Sequence, residues 1–178
     1  MRQITSKNRY FIAILAMFGA LPPFAINTYT PAIPDIAKYF SITESSVIVT
    51  MTTYFVGFAL GMLVWGAFSD RYGRKKILII GMAMYIFSTI VCSFCEEFST
   101  LSFMRFIQGF GDSTGAIIAL SVARDCYSGK KLTIVMASIL IIMMLAPITA
   151  PIIGSILIGV FFRKVRNFRK PLSNLATT

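Results

Sequence analysis

Gly66-Ala67-Phe68-Ser69-Asp70-Arg71-Tyr72-Gly73-Arg74-Lys75-Lys76 is the stretch that decides how this chain folds. It packs four cations and one acid into a short loop, with one long uncharged run before it, from Glu44 to Asp70, and another after it, from Lys76 to Glu96. A bilayer core about 30 Å thick takes roughly 20 apolar residues as a helix, and only helices or closed barrels satisfy their own backbone there. Both runs meet that length, so the loop reads as a tight connection between two membrane helices. Gly73 suits the turn, Gly66 a close helix approach, and the cations hold the loop on one side of the membrane.

Working outward, the same test finds three more runs: Arg9 to Asp35, Glu97 to Arg124 (interrupted by Arg105 and Asp112), and Lys131 to Arg163. The expected fold is an all-α integral membrane bundle of five spans, over about 10–33, 46–68, 77–95, 99–122 and 133–160. Composition agrees, with 56% hydrophobic and 13% charged residues against roughly 25% charged in ordinary soluble domains. The net charge of +10 sits in clusters between uncharged runs and not on one basic face, which argues against nucleic acid as a partner. The partners expected are membrane lipid, a small-molecule substrate and protons.

Lys and Arg in short loops favour the cytoplasm. They precede span one (Arg2, Lys7, Arg9), follow span two (Arg71, Arg74, Lys75, Lys76) and follow span four (Arg124, Lys130, Lys131). The intervening loops carry Asp35, Lys38 and Glu44, or Glu96 and Glu97. Residues 1–9 are therefore expected in the cytoplasm, and the first apolar stretch reads as a retained span, with no small-x-small cleavage site behind it. After span five the rule breaks, because Arg163, Lys164, Arg166, Arg169 and Lys170 crowd an end that should lie outside. An incomplete fifth crossing, a tolerated basic tail, or a reading frame that departs from an ancestral sequence near Ile158 would each produce this. The last accounts best for the missing next span, and residues 161–178 read as a basic, disordered tail.

The chain has no histidine, and its three cysteines, Cys92, Cys95 and Cys126, make neither a zinc site nor a disulfide scaffold. Cys92-x-x-Cys95 lacks the βαβ setting of a redox pair and reads as small residues near a helix end. With no nucleophile and base at recognisable spacing, an enzyme is not expected, nor is a metal or cofactor.

The loop at 66–76 resembles the signature G-x-x-x-D-R-x-G-R-[KR]-[KR] of the major facilitator superfamily. The resemblance implies a gating role for Gly66, Asp70, Arg71, Gly73 and Arg74. In that family the aspartate meets a helix end in the carboxyl-terminal half, as an anion at a positive helix terminus would. Span four carries Arg105-Phe-Ile-Gln108-Gly109-Phe-Gly111, similar to R-x-x-Q-G-x-G, whose arginine the family links to proton transfer. An arginine inside a span costs about 2.5 kcal/mol or considerably more, so Arg105 is expected either to face a cavity or partner, or to snorkel towards the outer surface. Asp112 follows seven residues later on nearly the same helical face, roughly 10 Å along the axis, too far for direct pairing. From its chemistry alone it is a candidate proton carrier, a binder of a cationic compound, or an acid of structural use.

Span five contains Ala146-Pro147-Ile148-Thr149-Ala150-Pro151-Ile152-Ile153-Gly154-Ser155, which resembles the antiporter motif of exporters with alanine or serine at three glycine positions. Ala146, Ala150 and Gly154 form a small face, and Pro147 and Pro151 remove backbone bonds, so the helix is expected to bend and seal. Together with Val122-Ala123-Arg124-Asp125 and Asn27-Thr-Tyr29-Thr-Pro31, these residues are similar to the bicyclomycin-resistance-like (Bcr/CflA) exporters, with Asn27 where that group has aspartate.

The resemblance covers residues 8 to 157 and corresponds to five of twelve spans. It implies proton-coupled export of small amphipathic compounds across a bacterial inner membrane, with Asn27, Tyr29, Arg105 and Asp112 on the substrate and proton pathway and a second chain as a candidate source of the remaining helices. The competing expectations are a truncated fragment without transport, and a small interaction protein that binds a partner helix through Gly57-x-x-x-Gly61.

Overall fold

The fourth apolar run lies at the centre of the molecule and the others are arranged around it. The computed structural model describes Tyr10 and residues 12–153 in full, and the helical backbone extends beyond them at both ends. The elements are α1 (Ser6–Tyr29), a 3-10 turn (Thr30–Ala32), α2 (Ile33–Phe40), α3 (Glu44–Tyr72), α4 (Arg74–Ser93), α5 (Phe98–Cys126) and α6 (Gly129–Leu175). Five stretches are long and apolar enough to cross a membrane: Ile12–Phe40, Glu44–Tyr72, Arg74–Ser93, Phe98–Cys126 and Gly129–Ile153. The chain is a multi-pass membrane protein with the expected five spans. The expected short face of Ala146 and Ala150 is buried, whereas Gly154 and the tail at 161–178 lie outside the residues whose side chains are described, as does the segment 1–9.

Helix ends follow local chemistry more closely than they follow charge. The first span continues to Phe40 because Pro31 opens a 3-10 turn that leads directly into α2. Ser41, in the left-handed region at φ 54°, closes α2 by donating its N–H to the carbonyls of Ala37 and Lys38. Thr43 then caps α3, its hydroxyl accepting the Ser46 N–H at 3.3 Å, with Glu44 in the first turn where an anion meets the positive helix end. Gly73 alone separates α3 from α4, with φ 94° and ψ 140°, a conformation that a Cβ disfavours.

α5 packs on α1, α3 and α4, while α6 packs mainly on α1. In lipid, helices gain little from apolar burial and associate by close packing, which makes small residues valuable. Three glycines of α5 each face a different neighbour. A Cβ on Gly109 would lie 2.1 Å from the Tyr54 carbonyl oxygen in α3, one on Gly111 2.7 Å from the Gly81 oxygen in α4, and one on Gly115 2.8 Å from the Phe18 oxygen in α1. The Phe18 carbonyl lacks its usual helical donor because residue 22 is proline, so α5 approaches α1 where its backbone is open. The Gly57-x-x-x-Gly61 face is occupied inside the bundle: Cβ atoms there would meet the oxygens of Phe106 and Phe110 at 2.1 and 2.7 Å. It therefore serves α3–α5 packing and not an outside helix. Large apolar side chains such as Leu63, Phe87, Ile141 and Met144 point outward, as a lipid environment requires.

Candidate functional site

Two polar constellations occupy opposite ends of this bundle. The first is built on the α3–α4 connection. Because Gly73 starts α4 immediately, Arg74 lies beside the last turn of α3, where its Nη2 pairs with Asp70 Oδ1 at 2.6 Å and its Nη1 donates to Ser69 Oγ at 2.5 Å. Its Nε reaches Asp125 Oδ2 at 3.2 Å, at the end of α5. One guanidinium thus joins the ends of three helices. Ser69 is fully buried and donates its own hydroxyl to the Gly66 carbonyl at 2.9 Å. Arg71 points outward and lies over the Tyr72 ring at 5.6 Å. The bracket unites the expected Asp70, Gly73 and Arg74 and adds Ser69 and Asp125. Gly66 is less critical, since a Cβ there would meet only the tip of Ile117, at 3.1 Å.

The second constellation lies towards the other end, where α1, α2, α4 and α5 leave a cavity of about 660 Å³. The Arg105 guanidinium carbon stands 3.5 Å above the centre of the Tyr29 ring, a cation held on an aromatic face. Its Nη1 donates to Gln108 Oε1 at 2.9 Å, and Gln108 Nε2 donates to Thr89 Oγ1 at 2.8 Å, so the guanidinium is oriented from α1 on one side and α4 on the other. The Tyr29 hydroxyl is tied to Thr50 Oγ1 at 2.9 Å, which fixes the ring from α3. Tyr29, Thr89, Arg105 and Gln108 all line the cavity, together with the carboxylates of Asp35 and Glu96 and the aromatic rings of Tyr39, Phe40 and Phe94. Arg105 is therefore held within a cavity wall, by stacking and hydrogen bonds, and among the described residues it forms no ion pair.

The other two expected pathway residues are placed elsewhere. Asp112 is completely buried between α3 and α5, where Tyr54 donates its hydroxyl to Oδ2, while Oδ1 has no hydrogen-bond partner. Asp112 does not line the cavity and does not pair with Arg105. Asn27 folds back on its own helix, donating from Nδ2 to the Pro23 carbonyl at 2.6 Å. In α6, Pro147 is exposed and Pro151 half-buried, on a helix whose Ala146 and Ala150 face inward; Thr28 Oγ1 lies 3.5 Å from the Ala150 carbonyl oxygen. Tyr54, Thr89 and Asp125 escaped the sequence reading as site residues. Only the Val122-Ala123-Arg124-Asp125 stretch gave any signal for one of them, and no spacing along the chain ties Tyr54 to Asp112 across 58 positions.

The model of the Major Facilitator Superfamily matches residues 10–164. The chain is 34% identical to a bicyclomycin resistance protein homolog of Haemophilus influenzae over 151 residues, 85% of this chain and 38% of that protein. It is 39% identical to an uncharacterized transporter of Rickettsia bellii over 126 residues, covering 71% of this chain and 31% of the relative. Multidrug resistance protein D of Escherichia coli is 27% identical over 151 residues, again 85% and 38% of the two chains. The chain thus spans under two fifths of the length of these relatives.

Proposed function

Because this chain belongs to the Major Facilitator Superfamily, we propose that it acts as part of a proton-coupled exporter of small amphipathic compounds in a bacterial inner membrane. The names of its relatives support a transport role directed at drugs. The basic α3–α4 loop belongs on the cytoplasmic side, with the amino terminus, and the cavity beside Glu96 opens towards the outside. Transporters of this class work by rocking one helical bundle against another around a central site. The five spans here supply one side of that arrangement, and a second chain carrying further helices is the proposed partner.

The observation that carries the reading is the Arg105–Tyr29 stack on the wall of the cavity. A cation kept within an apolar bundle is expensive, and here it is oriented by Gln108 of its own helix and by Tyr29, Thr50 and Thr89 of three further helices instead of being neutralised by an acid. Such an arrangement suits a group that must meet a passing ligand. In the proposed cycle, Tyr29 and Arg105 contact the compound, Asn27 offers a hydrogen bond, and Asp112 carries the proton. The Asp70–Arg74–Asp125 bracket holds the cytoplasmic ends together, Asp70 and Arg71 engaging the opposing bundle when that side closes. Pro147, Pro151 and Gly154 give α6 its pivot.

The test is accumulation of a fluorescent cationic dye in an efflux-deficient bacterium expressing the chain, beside Asp112→Asn, with and without an uncoupler. Lower accumulation that needs both the gradient and Asp112 is expected. Unchanged accumulation by well-inserted protein would leave the chain as a bundle without transport.

A further inference from the structure

The cavity beside Arg105 is lined by α1, α2, α4, α5 and the α4–α5 connection of this one chain. Its volume, about 660 Å³, falls within the roughly 300–1,000 Å³ typical of small-molecule sites. Three charged residues line it: Arg105, Asp35 and Glu96. Among the described residues none of the three forms an ion pair. Arg105 spends one N–H on Gln108, its Nε has no acceptor, and its charge is otherwise met only by the Tyr29 ring. The same wall carries the aromatic residues Tyr29, Tyr39, Phe40 and Phe94.

We propose that this cavity binds a zwitterionic amphiphile: an aromatic body with one carboxylate, which pairs with Arg105, and one ammonium group, which meets Asp35 and Glu96. A purely cationic compound would leave Arg105 unpaired and add a like charge beside it. A purely anionic one would leave both acids unmatched. Arg105 is suited to the carboxylate because its planar fork offers paired donors, and the stack on Tyr29 fixes the plane of that fork. The proposal deepens the transport reading and rests on it for the fate of the bound molecule; binding itself can be read without transport.

Three fluorescent probes differ by one group each: Nε-dansyl-lysine carries both charges, dansylcadaverine lacks the carboxylate, and N-dansyl-6-aminohexanoic acid lacks the amine. Each is titrated into the full chain in lipid nanodiscs and read by dansyl emission. Nε-dansyl-lysine should bind about tenfold more tightly than either partner, as loss of one charge-assisted contact implies. Arg105→Gln should abolish the preference for Nε-dansyl-lysine over dansylcadaverine, weakening the first while the second, freed of a like charge, binds no less tightly. Asp35→Asn with Glu96→Gln should abolish the preference over the aminohexanoate, weakening Nε-dansyl-lysine while the anionic probe binds no less tightly. Arg105→Lys, which keeps the charge but neither the fork nor the stack, should retain part of the carboxylate preference and guards against a folding defect in the glutamine variant. Affinities within twofold across the three probes, a uniform loss for all probes in either variant, or no saturable binding by folded chain would overturn the proposal. Failure of the chain to lower cellular accumulation of Nε-dansyl-lysine while these preferences hold would count against the transport reading alone.

Discussion

Replacing Gly57 by alanine places a Cβ 2.1 Å from the Phe106 carbonyl oxygen and 2.9 Å from its carbon. A carbon tolerates a carbonyl oxygen at about 3.3 Å, so α3 and α5 must separate by about 1 Å at their crossing. Neither obstacle is a flexible side chain, and the movement is therefore shared along the interface. A gap of that size forfeits a quarter to a half of each contact worth ~0.1–0.2 kcal/mol, and over ~50 atom pairs the loss is about 2 kcal/mol, in the range usual for overpacking. With no hydrophobic force between helices in lipid to offset it, Gly57→Ala should shift the unfolding equilibrium about thirtyfold. The chain contains one tryptophan, Trp65, and its indole N–H donates to the Phe110 carbonyl at 2.8 Å across this interface. Its emission during SDS titration reports α3–α5 separation directly. Gly66→Ala is the matched control in the same helix: its Cβ meets only the swinging Cδ1 of Ile117 at 3.1 Å, and alanine favours the helix by up to ~1 kcal/mol. Equal midpoints for the two variants, or a larger loss for Gly66→Ala, would refute the packing argument.

Tyr54→Phe strips the buried Asp112 of its hydrogen-bond donor and should cost about 1–3 kcal/mol in the same titration, while Tyr54→Phe combined with Asp112→Leu should recover much of it. Arg74→Ala should change stability by less than ~1 kcal/mol, because Asp70 and Asp125 are largely exposed; cysteine crosslinking between the ends of α3 and α5 should nonetheless reveal a looser bracket. Gly73→Ala meets no atom within 4 Å, so its expected loss of roughly 1–3 kcal/mol comes from backbone conformation alone, and Gly73→Asn should lose as much, because at ψ 140° the backbone lies outside the left-handed helical region that asparagine tolerates.

The number of spans was legible because bilayer thickness imposes a length on every uncharged run, and the loop at 66–76 fixed the connection of the second and third. Helix ends were less so. The predicted span 46–68 stopped short of Glu44, Asp70 and Arg71, yet α3 includes them, since its limits are a Thr43 cap and the Gly73 turn. At the site, the sequence marked Arg105 as needing a partner but could not say which, because Tyr29, Gln108 and Thr89 converge from three helices. It grouped Asp112 with Arg105 by helical phase. The two in fact diverge, as Tyr54 holds Asp112 at the α3 interface while α1 and α4 hold Arg105 at the cavity. Phase along one helix identifies a face; what that face meets depends on neighbours the periodicity does not describe.

The central position of α5 bears on how the chain enters the membrane. It is the least apolar of the five spans, carrying Arg105, Gln108, Asp112, Ser113 and Thr114, and 61% of its apolar window is buried, against 28% or less for the others. Alone in lipid it would be a poor candidate for insertion. Synthesis delivers α1, α3 and α4 first, and those three helices carry Tyr29, Tyr54 and Thr89, the groups that receive its polar side chains. The order of elements along the chain thus prepares a socket before its occupant leaves the ribosome, and α5 partitions into protein instead of into hydrocarbon.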